Sequence, residues 1–76
     1  MANIDLKTLA NVFSYHAPLP GQPERYVTLR DSARQFAEQI ITLTPPSREQ
    51  SVALTNVQQA VMWANAAIAI NEKESE

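Results

Sequence analysis

QSVALTNVQQAVMWANAAIAIN, from Gln50 to Asn71, carries no charged side chain. Its apolar pattern is helical. One seam runs through Leu54, Val57, Val61, Ala64 and Ile68, at spacings of three and four residues, the repeat of one helix face. A second stripe, Val52, Gln59, Trp63, Ala66 and Ile70, falls roughly on the opposite side at about 100° per residue. A surface helix of a small monomer normally keeps a charged, solvated face. This stretch offers amides, small residues and a Trp instead. It therefore predicts a long helix covered by protein on more than one side, part of that cover coming from other copies of the chain.

Working outward, Ser47-Arg48-Glu49-Gln50 has the form of a capping box, with Ser at the cap and Gln three residues on. Upstream, Thr44-Pro45-Pro46 ends an earlier helix, because proline disfavours a helical residue before it. That helix has apolar positions at Tyr26, Leu29, Ala33, Phe36, Ile40 and Leu43, a heptad seam. Pro23 suits its first turn, and Glu24 favours the positive helix end. Two helices of similar length joined by a short turn predict an antiparallel hairpin. A short helix from Ile4 to Phe13, capped by Asn3 or Asp5, precedes a loop; the stretch Ser14–Pro23 holds three of the five Pro and the only Gly. The expected fold is all-α: one domain over 1–76, with helices at about 4–13, 23–43 and 48–71, a loop at 14–22 and a frayed tail at 72–76.

Composition narrows both stability and function. A domain of 76 residues buries only about 60% of the surface its unfolded chain exposes. It has no Cys, so neither disulfides nor thiolate metal sites are available, and one His is too few for a His-built zinc site. Oligomerisation is the remaining common stabiliser, and the second stripe supplies its surface: Trp63, Ala66 and Ile70, with Asn65 between the stripes as an amide that fixes register. The start of the chain has no basic n-region or apolar h-region, and the uncharged run is too polar and too short to span a bilayer. A cytoplasmic protein with no membrane partner is expected. A net charge of −2 argues against a DNA or RNA polymer as partner.

Catalysis finds little support. No nucleophile–His–acid spacing is present, there is no Gly-rich phosphate cradle, and Glu24 and Asp31 read as solvated surface carboxylates. The expectation is a protein that is not an enzyme and has no cofactor or metal. Two groups of residues are suited to binding. Tyr15 and His16 put an aromatic plane and an imidazole in a Pro-stiffened loop, where a Tyr can stack on a nucleobase; the plain alternative is that both pack the loop against the hairpin. Arg30 and Arg34 share one face of the second helix, with Arg25 one turn earlier, and guanidiniums grip phosphate bidentately. The plain alternative there is a solvated stripe in which Arg34 pairs with Glu38. Trp63 reads as an oligomer anchor in preference to a ligand platform.

Taken together, Phe13-x-Tyr15-His16-x-Pro18, Arg25-Tyr26-x-x-Leu29-Arg30, Ser47-Arg48-Glu49 and the Met62–Ala69 block MWANAAIA resemble the helical-hairpin domain of phage cyclic-nucleotide sponges. These are the anti-CBASS sponges and the hairpin part of the Thoeris anti-defence sponges. With 76 residues there is no room for the β-rich region of the latter, so the likeness is to the short anti-CBASS type. The resemblance covers roughly residues 9–72 and implies a compact homo-oligomer, typically a hexamer. Such proteins sequester cyclic oligonucleotide messengers such as cyclic GMP-AMP (cGAMP) without cleavage, in the cytoplasm of the infected bacterial host, and so block CBASS-type immunity. It also implies that Tyr15 and Arg30 contact a cyclic dinucleotide at a subunit interface, with His16 and Pro18 lining the same loop; Arg25 and Arg34 are added from helix geometry. Some members bind cyclic trinucleotides at a separate site. Ser32 and Ile70 stand at its place here, Ile70 where relatives often carry a basic residue. The reading of a different class is a structural or regulatory helical oligomer with no nucleotide ligand.

Overall fold

The computed structural model describes residues 5–72. Among them are three helices and no strand: α1, Leu6–Val12; α2, Gln22–Leu43; and α3, Arg48–Asn71. Ile4, Asn3 and residues 73–76, which the sequence assigns to the first helix, its cap and the tail, lie outside the described residues. Asp5 caps α1 by accepting a 2.7 Å bond from the Thr8 amide. That bond to the ionised carboxylate pulls the Asp5 pKa below its ordinary value.

Gly21 sits at the N-cap of α2 with φ 85°, a left-handed conformation that only glycine takes without strain. The chain thereby turns from the Pro-rich loop into Gln22 and Pro23. At the other end Thr44 is extended, as a residue before Pro45 must be, and α2 stops. Ser47 then caps α3, its hydroxyl accepting from the Gln50 amide at 3.1 Å. The return bond of the capping box is replaced. Gln50 Nε2 instead donates to the carbonyl and hydroxyl oxygens of Thr44, both at 3.1 Å, stitching the start of α3 to the end of α2.

Packing of α2 against α3 is the main tertiary contact. The α3 seam is half-buried at Leu54, Val57, Val61, Ala64 and Ile68. On α2 the half-buried positions are Tyr26, Leu29, Ala33, Ala37 and Ile40. Phe36 and Leu43, assigned to this seam by the heptad, are 55% and 79% exposed, and Ala37 takes the place of Phe36. A straight helix has 3.6 residues per turn, so a strict seven-residue repeat drifts off the contact line.

Among the described residues no apolar side chain reaches full burial, and the protomer is elongated, 49 × 29 × 18 Å with a radius of gyration of 15.9 Å. A compact chain of this length has a radius of about 11 Å. The accessible surface of 6529 Å² exceeds the roughly 4,700 Å² expected for a compact monomer of this mass. Large apolar side chains contribute to it: Leu6, Phe13, Phe36, Met62 and Trp63 all stand exposed.

Candidate functional site

The loop after α1 is held by short-range bonds that leave one aromatic free. Ser14 Oγ donates to the Ala10 carbonyl at 2.6 Å, and His16 Nε2 lies 2.7 Å from the Asn11 carbonyl. A carbonyl only accepts, so Nε2 carries the proton in this contact. Asn11 in turn donates its Nδ2 to the Ile70 carbonyl at 3.0 Å, fastening the end of α1 to the end of α3. Tyr15 takes part in none of this and is 87% exposed. Tyr15, His16, Pro18 and Leu19 form one wall of a cleft of about 400 Å³, and Gln22, Ala69 and Glu72 complete it.

Behind that cleft lies a polar network centred on Gln22, which is only 2% exposed. Its Oε1 accepts from the Leu19 amide at 2.9 Å, and its Nε2 donates to Glu72 Oε1 at 3.0 Å. Glu72 also receives both ends of the Arg25 guanidinium, Nη1 on Oε2 at 2.8 Å and Nη2 on Oε1. Together the Arg25 and Gln22 donors hold the Glu72 carboxyl down at about 2. The same bond raises the Arg25 pKa. Glu72 is thus the C-cap of α3, held by Arg25 and Gln22. Arg25, offered as a phosphate ligand, has its guanidinium engaged by that carboxylate.

Arg30 and Arg34 lie elsewhere. They edge a groove of about 300 Å³ between α2 and α3, floored by Ala33, Ala37, Leu54, Val57 and Val61. Arg34 Nε pairs with Glu38 at 3.1 Å, an exposed i,i+4 contact of little energy. Arg30 forms no ion pair among the described residues. One protomer therefore brings Tyr15, His16 and Pro18 together but leaves Arg30 in a different depression. Ser32 is exposed, two residues from Arg30 and so on the far side of α2. Ile70 is half-buried with its carbonyl taken by Asn11, and lines neither cleft. Trp63 is 73% exposed, whereas Asn65, Ala66 and Ile70 are half-buried within the single chain. The Asn65 Oδ1 is buried without a hydrogen-bond partner. Among the described residues no acidic, His or Cys group converges as a metal site, and no helix is long and apolar enough to cross a membrane.

A protein-family model described as "Acb2/Tad1, hairpin domain" matches residues 5–69. The chain belongs to the Acb2/Tad1 hairpin-domain family. This is the anti-CBASS and anti-Thoeris sponge family, and membership suggests a cyclic-nucleotide sponge. Searches of the curated proteins and of the solved structures find no match. The matched hairpin-domain span takes in Tyr15, His16, Pro18, Arg30, Ser32 and Trp63, and ends before Ile70 and Glu72. Gln22 and Glu72, which hold the cleft wall together, escape a reading of the sequence. Nothing local links residues 50 apart, and a Gln in a helix's first turn is ordinarily solvated.

Proposed function

We propose that this chain is a non-catalytic sponge. It sequesters cyclic oligonucleotide second messengers, cyclic dinucleotides such as cGAMP first among them, in the cytoplasm of an infected bacterial host, and so blocks CBASS-type immunity. The observation that carries this reading is the family match over residues 5–69. The geometry is compatible with it: an exposed tyrosine beside a cleft offers a stacking plane, and Arg30 is a cation with no carboxylate partner among the described residues.

Sequestration needs no reaction; a tight binder present in excess over the messenger is sufficient. The same proposal includes a homo-oligomer, with a hexamer as the family-type assembly. A protomer with no fully buried apolar side chain among its described residues and an exposed Trp63 has surface to cover. Tyr15 and Arg30 line different depressions of one protomer, so an interface is what would set both against one ligand. A two-fold interface presents each of them twice, which suits a ligand with two bases and two phosphates.

The test is thermal unfolding with and without 3′,3′-cGAMP. At a hundredfold excess over Kd the ligand adds about 2.7 kcal/mol, a shift of at least ~10 °C for a domain this small. No shift with cyclic di- or trinucleotides would leave the structural-oligomer reading in its place.

A further inference from the structure

The carboxylate of Glu72 lines the same cleft as Tyr15, His16 and Pro18. A fixed negative charge is an unexpected wall for a depression meant to receive a phosphodiester. Glu72 is also placed against its own helix, because an acid at the C-terminus of α3 meets the negative end of the helix dipole. What keeps it there is Arg25, through a bidentate pair, with a third bond from Gln22. Arg25 and Glu72 are both substantially exposed, so solvent and salt reach the pair. A phosphodiester offers the guanidinium fork two oxygens and one negative charge, as a carboxylate does. Glu72 lies beyond residue 69, the end of the matched family span.

We propose that Glu72, which lines the Tyr15 cleft, is an internal competitor for the anionic ligand: its carboxylate occupies the Arg25 guanidinium, and a phosphate of the entering cyclic nucleotide takes its place. The inference rests on the sponge reading and adds to it a residue that sets affinity. Removing the charge relieves repulsion and releases Arg25 at the same time. Glu72→Gln keeps an oxygen able to accept from Gln22, so the loop stays anchored through Leu19.

Calorimetric titration of 3′,3′-cGAMP into the full chain and into Glu72→Gln tests this, with circular dichroism confirming the fold of the variant. The expected result is binding about fivefold tighter in Glu72→Gln at low salt, a gain that shrinks as salt screens the charge. Equal or weaker binding by a folded Glu72→Gln, with the unaltered chain still binding, overturns the competitor and leaves the sponge standing. Binding by neither protein overturns both. A second measurement needs no variant: carbon-13 NMR of the Glu72 Cδ in the unaltered chain during the same titration. Release from Arg25 moves that resonance at saturation, and an unmoved resonance alongside demonstrated binding refutes the exchange.

Discussion

Among the described residues Gln22→Ala removes the most deeply buried side chain, 2% exposed where no apolar group is fully buried. Two bonds go with it. The Leu19 amide loses its acceptor at 2.9 Å, in a half-buried part of the loop. Leaving such a donor unsatisfied costs about 1–3 kcal/mol. The bond to Glu72 is lost as well, but that carboxylate is partly exposed, and water replaces the donor. The loss should total about 2–3 kcal/mol against a stability of roughly 4–11 kcal/mol for a domain this size. That lowers Tm by about 10–20 °C. The assay is urea and thermal unfolding followed by far-ultraviolet circular dichroism at fixed protomer concentration, since assembly makes stability concentration-dependent. Glu72→Ala should also destabilise, because it removes the acceptor of the Gln22 Nε2 in a side chain that is only 2% exposed. A Gln22→Ala change within ±0.5 kcal/mol, the range of ordinary surface substitutions, would refute the claim that this amide anchors the loop.

Tyr15→Ala and Arg30→Ala should each weaken cGAMP binding by tenfold or more in calorimetry, whereas Arg34→Ala should change it little, its guanidinium being paired with Glu38; normal binding by Tyr15→Ala would remove the stacking site. Trp63→Ala should shift the sedimentation profile toward smaller species, and a native protein that already sediments as a monomer would contradict the assembly. Acid should act through Glu72. Its folded-state pKa of about 2 lies below the ordinary 4.5, so its contribution to stability is full above about 4.5 and is lost as pH falls toward 2. The stability difference between the unaltered chain and Glu72→Gln should therefore be flat from pH 7 to 5 and shrink below 4.5, and a difference that instead grew on acidification would reverse the assignment.

The α3 seam was legible because its five positions repeat at helical spacing, and all five are half-buried. The α2 seam was legible only in part. Phe36 is a stronger apolar signal than Ala37, but on a straight helix Ala37 lies on the line of Tyr26, Ala33 and Ile40, while Phe36 lies to one side. The caps were local and readable: Asp5 on Thr8, Ser47 on Gln50. The second bond of the capping box was not, because the turn places Thr44 where Gln50 can reach it. In the site, the loop triplet Tyr15, His16 and Pro18 comes together as neighbours in sequence must. Arg30 does not join them within one protomer, and Arg25 is met by Glu72, 47 positions away. A single sequence holds no record of such a pairing, and the charge-free run from Gln50 to Asn71 stops one residue short of it. The exposed Trp63 is where that run still asks for a neighbour.

The most direct test of the sponge is recovery of the messenger. A known amount of 3′,3′-cGAMP is mixed with excess protein, the free fraction is measured by filtration and chromatography, and the protein is then denatured by heat. The account predicts that free cGAMP falls to near zero and returns intact, in full, after heating. Undiminished free cGAMP, or recovery of linear products in its place, would contradict it.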